Sequence, residues 1–196
     1  MGDLVLKGAT SGQITITPTG VAGTNTLTLP AKTGNIITSA DSGTVTQAML
    51  ASNVAGNGPA FSAYQNSAQS ISNSTFTKLQ CSTVEFNQGS YYDGTTNYRF
   101  TPLVAGYYLI TGEASLNAAT QTQLLTIYKN GSEFKRGQRM ASSPGALSTS
   151  VSALINFNGS TDYVELYVWQ DSGSTTTLNA ASQALNYFQG VLVRTA

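Results

Sequence analysis

The sequence predicts an all-β protein, and three observations carry that expectation. Thr and Tyr, both strand-favouring, number 27 and 10 among the 196 residues, and 19 Gly supply tight turns and bulges. Short runs alternate polar and apolar residues at period two, the repeat of a strand and not of a helix. From residue 60 onward, turn signals separate these runs at regular intervals, the layout of a sandwich or jelly roll.

Taken in order, residues 1–40 hold three short runs. Gln13-Ile14-Thr15-Ile16-Thr17 stops at Pro18, Thr26-Leu27-Thr28-Leu29 stops at Pro30, and Asn35-Ile36-Ile37-Thr38 is the third. Each predicts a strand of four or five residues, too short to build a core without neighbours from another domain or chain. In residues 41–58 Thr44 is placed to cap a short helix, with Val45, Ala48, Met49 and Ser52 on one face. About three turns are marginal for an isolated helix. The stretch from Asn53 to Pro59 reads as a hinge or linker.

The remainder reads as β throughout. Phe61 and Tyr64 mark a first strand, Thr75 to Cys81 a second, Gly106 to Gly112 a third and Leu124 to Lys129 a fourth. Asn130-Gly131 predicts a hairpin turn, since both residues accept positive φ. Val151 to Asn158 and Tyr163 to Asp171 flank a turn at Gly159-Ser160-Thr161, and Asn186 to Arg194 closes the chain. One strand is apolar on both faces. Val164, Leu166 and Val168 form one face; Tyr163, Tyr167 and Trp169, with Glu165, form the other. A one-sided antiparallel sheet shows a polar outer face, so this strand is expected to pack on a second surface, most simply a neighbouring subunit.

Composition excludes several functions. Charged residues are 9% of the chain, against about 25% in an ordinary soluble domain, and nine Lys+Arg balance nine Asp+Glu. That balance offers no general attraction to nucleic acid or to an anionic membrane. With no His, the commonest general base and metal ligand are missing, and the single cysteine, Cys81, cannot form an internal disulfide. No run of about 18 apolar residues is present, so no membrane-spanning helix is expected. Residues 1–8 lack the basic region and apolar core of a signal peptide.

From residue 59 the order of motifs resembles the C1q-like domain, the jelly roll shared with tumour necrosis factor. Pro59-Ala60-Phe61-Ser62-Ala63-Tyr64 is similar to its opening strand, and Tyr92-Asp93-Gly94 and Tyr98-Arg99-Phe100-Thr101 to its turn and aromatic strand. Pro102-Leu103-Val104-Ala105-Gly106-Tyr107-Tyr108 matches a Pro-x-x-Gly-x-Tyr stretch, and Lys129-Asn130-Gly131 a mid-domain hairpin. Gly159-Ser160-Thr161-Asp162-Tyr163-Val164 and the closing Tyr187-Phe188-Gln189-Gly190-Val191-Leu192-Val193 complete the set. The resemblance implies a ten-stranded-type jelly-roll sandwich and a compact homotrimer. Upstream, Gly8-Ala9-Thr10-Ser11-Gly12, Gly23-Thr24-Asn25-Thr26-Leu27-Thr28-Leu29-Pro30 and Thr33-Gly34-Asn35-Ile36-Ile37 resemble leader segments of bacteriophage tail-fibre and virion proteins.

A search for chemistry yields no catalytic, cofactor-binding or metal-ligating set. The nine acidic residues are scattered, and Asp93 and Asp162 sit beside turn residues, where a turn-forming role outweighs a calcium site. Cys81 reads as a small core residue. Lys135-Arg136-Gly137-Gln138-Arg139 is the only basic cluster. It is either a contact for a phosphate or an anionic sugar or, preferred, a solvated hairpin edge. Trp169 and the tyrosines are able to stack on a sugar, although their alternating spacing favours core or interface. Ser172-Gly173-Ser174-Thr175-Thr176-Thr177 reads as a solvated polar loop before a glycan contact.

The resulting expectation is a non-enzymatic virion structural protein, a phage tail fibre or similar fibre. Residues 1–40 are its attachment segment, 41–58 a short helix and linker, and 59–196 a trimeric knob that contacts a host surface glycan or protein. Other phage virion proteins are expected to bind through residues 1–58. Neither nucleic-acid binding nor membrane insertion is expected, and the place of action is the virion. The alternative is a purely architectural capsid, head-fibre or baseplate element.

Overall fold

The computed structural model describes residues 4–7, 10–16, 31, 56–118, 121–142, 145–179 and 185–196. The chain divides into two compact units, Met1–Asp41 and Ser42–Ala196. In the first, β1 (Leu4–Lys7) pairs antiparallel with β2 (Gln13–Ile16), Leu4 opposite Ile16. β2 is the predicted run at 13–17, but β1 has no counterpart in the prediction, because four residues are too few to display a period. The predicted strands at 26–29 and 35–38, and the predicted helix at 44–52, lie outside the described residues.

The second unit is all β among its described residues. Its strands are β3 (Ala60–Tyr64), β4 (Ser70–Ile71), β5 (Thr77–Lys78), β6 (Thr83–Gln88), β7 (Tyr92–Asp93), β8 (Arg99–Phe100), β9 (Gly106–Ala118), β10 (Gln121–Lys129), β11 (Ser132–Ser142), β12 (Gly145–Phe157), β13 (Val164–Gln170), β14 (Thr176–Leu178) and β15 (Tyr187–Thr195). A seven-stranded sheet runs β4-β14-β9-β15-β3-β6, with β12 on the other side of β9. A six-stranded sheet runs β11-β10-β13-β8-β7, with β5 also on β13. Every strand pair is antiparallel.

Period two explains how the sheets meet. Along β9, Tyr108, Ile110, Ala114 and Leu116 are fully buried, while Leu109 between them is 40% exposed. Gly112 falls on the buried side because a Cβ there would meet Leu166 of the facing sheet at 2.6 Å. At one end of β9 the core is aromatic. The Phe61 ring stacks on Tyr92 at 4.6 Å and on Phe100 at 4.5 Å, and Phe188 meets it edge-on at 5.0 Å. Toward the other end, buried amides tie the two sheets together and hold a loop to β9. Gln123 donates to the Ala114 carbonyl and to Thr149 Oγ1, and Asn186 accepts from the Ser115 N–H while donating to the Asn179 carbonyl. Each of these amides satisfies backbone that would otherwise be buried without a partner.

The turns follow the sequence. Asn130 and Gly131 take φ of 52° and 80° between β10 and β11. Asn158 Oδ1 accepts from the N–H groups of Ser160, Thr161 and Asp162, and Gly159 sits at φ 72°. Several predicted strands change extent. The run at 75–81 contributes only Thr77–Lys78, because past it the chain leaves the sheet and turns Leu79 and Cys81 into the core. β4, β6 and β14 were not among the predicted strands: β4 is two residues long and β6 is an edge strand with mostly exposed side chains, so neither shows alternation, while β11 is the second arm of the hairpin that Asn130-Gly131 predicts. β14 takes up the end of the predicted polar loop at 172–177, where Thr176 and Leu178 are buried.

Candidate assembly interface

The outward-facing side chains of the seven-stranded sheet form cross-strand rows. Register places Leu154 of β12 opposite Leu109 of β9, Leu109 opposite Val191 of β15, and Val191 opposite Ala60 of β3. The neighbouring row reads Ser152, Thr111, Gln189, Ser62 and Phe86. Leu154, Leu109, Val191 and Phe86 are 58%, 40%, 45% and 54% exposed, and Val193 extends the patch along β15. A shallow depression of about 240 Å³ lies between Phe86, Leu109 and Val191, with Gly190 at its base. Gly190 itself faces inward, where a Cβ would meet Ile110 and Phe61 at under 3 Å.

Uncharged polar side chains, Thr111 and Gln189, also line the depression, and further polar groups stand around the patch. Arg194 lies over the Tyr107 ring at 5.1 Å, and the Tyr187 hydroxyl donates to Glu113 Oε2 at 3.2 Å. Burial, followed by the charge of Glu113, raises the Tyr187 pKa, so the hydroxyl stays protonated. A contiguous, uncharged, half-exposed apolar row on a regular sheet is suited to close packing against a copy of itself or another flat surface.

The outer face of the six-stranded sheet is partly filled by its own side chains. The second face of β13, expected to pack on a neighbouring subunit, is half-buried among side chains of neighbouring strands, with Tyr163, Tyr167 and Trp169 partly exposed. Tyr128 stacks on Tyr167 at 4.0 Å, Lys78 Nζ bonds Glu165 Oε1 at 2.5 Å, and Arg99 lies 4.4 Å from the Tyr163 ring centre. Burial pushes the Tyr167 hydroxyl up to about 12. The exposed aliphatic row Leu154-Leu109-Val191 lies on the opposite sheet.

The remaining singled-out residues have definite places. Asp93 accepts from Thr95, Thr96 and Asn97, and the backbone N–H groups of Thr96 and Thr95 hold its carboxyl well below the usual carboxylate range. Asp162 is buried against Lys129 Nζ at 2.8 Å, Asn130 Nδ2 at 2.8 Å and the Asn158 N–H at 3.0 Å. Its pKa is lowered: burial alone would raise it, and these donors outweigh the burial. Cys81 is fully buried, which pushes its thiol up and makes it a poor nucleophile. Among the described residues no three acidic or Cys side chains gather as a metal cluster. The basic cluster at 135–139 lies on β11, the edge of the six-stranded sheet, as its preferred reading expects.

No protein-family model and no curated protein sequence matches the chain. Solved structures do. The globular domain of zebrafish complement 1qA aligns with a TM-score of 0.53 at 15% identity, covering 70% of this chain and 99% of that one. Murine APRIL aligns at 0.50 with 12% identity, covering 69% and 98%. The vertex protein P5 of PRD1 aligns at 0.50 with 17% identity, covering 69% and 97%. The fold is thus a jelly roll of the C1q and tumour necrosis factor type.

Proposed function

We propose that this chain is a non-enzymatic structural protein of a phage virion, in a tail fibre or similar fibre. It assembles as a homotrimer through the apolar face of the seven-stranded sheet. The carrying observation is the row Leu154-Leu109-Val191, exposed on an otherwise well-formed sandwich. Three copies around an axis cover that row, and obligate interfaces of this kind bury on the order of 2,000–5,000 Å². Residues 1–40 attach the knob, and 41–58 connect the two. The virion setting is supported by the leader-like pattern of residues 8–37 and by the likeness of the fold to a vertex protein.

The trimer is tested by analytical ultracentrifugation of the full chain at micromolar concentration, where a monomer overturns it. Immunogold labelling of purified particles tests the virion assignment, and particles without label overturn that. The second reading, an architectural capsid or baseplate element without receptor contact, is favoured by the vertex-protein likeness. Trimers that decorate particles yet never retain host cells would select it.

A further inference from the structure

The outer face of the six-stranded sheet carries a small built pocket that the assembly does not use. Across three strands, register aligns Arg139 of β11, Leu124 of β10 and Trp169 of β13 in one row. Leu124 is the buried floor, Trp169 and Phe76 are half-buried walls, and Arg136 and Arg139 stand at the rim of a depression of about 220 Å³. Arg139 lies 5.5 Å from the Trp169 ring centre. Sequence alone does not join these residues, since 76, 124, 136–139 and 169 meet only through strand pairing.

The charges decide the ligand class. Arg136 is held in a two-bond fork by Glu133, at 2.6 and 2.8 Å, which leaves no net charge on that pair. Arg139 approaches Asp171 Oδ2 only loosely, at 3.7 Å, and keeps donors for a ligand. The rim therefore offers arginine donors whose charge is balanced by Glu133 and Asp171 behind them. A neutral sugar hydroxyl, which accepts from an arginine, fits such a charge-balanced rim better than a phosphate or a carboxylate, which calls for uncompensated positive charge. Aromatic walls suit the apolar face of a pyranose ring, and the volume, below the roughly 300–1,000 Å³ of drug-sized pockets, admits one ring.

We propose that this pocket binds a single neutral hexopyranose residue of a surface glycan. Affinity for one ring is weak. Useful retention comes from three pockets on one particle, and in that respect the proposal rests on the trimer.

Trp169 is the only tryptophan in the chain, so its fluorescence reports this pocket alone. The full chain is titrated with the methyl glycosides of glucose, galactose and mannose and, in parallel, applied to a glycan array of neutral, sialylated and sulfated structures. At least one neutral glycoside shifts Trp169 emission with a midpoint near millimolar, and arrays retain glycans bearing that sugar. Arg139→Ala, on an exposed side chain that does not hold the fold, weakens the shift about 10-fold or more, the loss of one charged hydrogen bond. Trp169→Ala abolishes array retention, with sedimentation unchanged. No shift and no retention by the wild-type chain, retention of acidic glycans alone, or binding indifferent to Arg139→Ala each overturn the pocket. Sedimentation of the same samples separates the two proposals: a trimer that binds no sugar leaves the assembly standing, and a monomer whose Trp169 responds leaves the pocket standing.

Discussion

Leu109→Asp addresses the assembly face directly. The 40% of Leu109 still exposed in the single chain is worth about 0.6–1.2 kcal/mol per protomer when covered, scaling from about 1.5–3 kcal/mol for a fully buried leucine. Treated likewise, Leu109, Leu154 and Val191 together supply about 2–4 kcal/mol per protomer, or about 6–12 kcal/mol over three protomers, against roughly 8–30 kcal/mol for the two association events that form a trimer, so the rest of the face must contribute as well. Aspartate at 109 removes its share and also buries a carboxylate near two copies of itself, at several kcal/mol per ion. The chain then sediments as a monomer at micromolar concentration. Its near-ultraviolet circular dichroism is kept, because Leu109 points outward while its neighbours Tyr108 and Ile110 reach the core. A variant that remains trimeric refutes this face as the interface. A variant that loses its folded spectrum refutes the claim that Leu109 belongs to the surface and not to the core.

Other expectations concern the sandwich and its attachment. Asp162→Ala strands the Lys129 ammonium, Asn130 Nδ2 and the Asn158 N–H, and lowers stability by about 2–4 kcal/mol in urea unfolding; a loss under ~0.5 kcal/mol contradicts the network. Because the Asp93 and Asp162 pKa values are lowered in the folded chain, their stabilisation is fully present above the unfolded carboxylate value of about 3.9. It is lost as pH falls through the folded values. Melting temperatures should drop below about pH 4, and less steeply once both residues are replaced by Asn. Gly159→Val meets both a positive φ of 72° and a Cβ 2.3 Å from the Ala105 nitrogen, so a cost of about 2 kcal/mol or more is expected, and an unchanged urea midpoint would show that the turn yields. Deleting residues 1–40 is expected to leave a folded trimeric knob that no longer joins particles; incorporation of the truncated chain would place the anchor elsewhere.

How much was legible in the sequence differs element by element. The Asn130-Gly131 turn and the apolar, aromatic-rich runs that become β9 and β13 are local signals, set by permitted φ and by strand-favouring side chains, and they reappear at the expected residues. β6 is not legible in the sequence because an edge strand with exposed side chains need not alternate, whereas β11, equally exposed, is marked by the hairpin turn before it. A strand's own period shows only that the tyrosine and tryptophan face of β13 is apolar, never what lies beside it. Tyr128, Lys78 and Arg99 come from 39 to 87 residues away in the chain to pack against it.

What the sequence by itself determined is the strand content, the turns, the near-absence of charge and the order of motifs that defines the jelly roll. These depend on neighbours within a few residues or on counts. What only the tertiary structure decided is which faces remain open. Strand register alone joins Leu154, Leu109 and Val191 into one exposed row, and Arg139, Leu124 and Trp169 into one pocket. A slip of one residue would turn either row to the opposite face, and that register is held by long-range pairing and core packing, which no local pattern encodes.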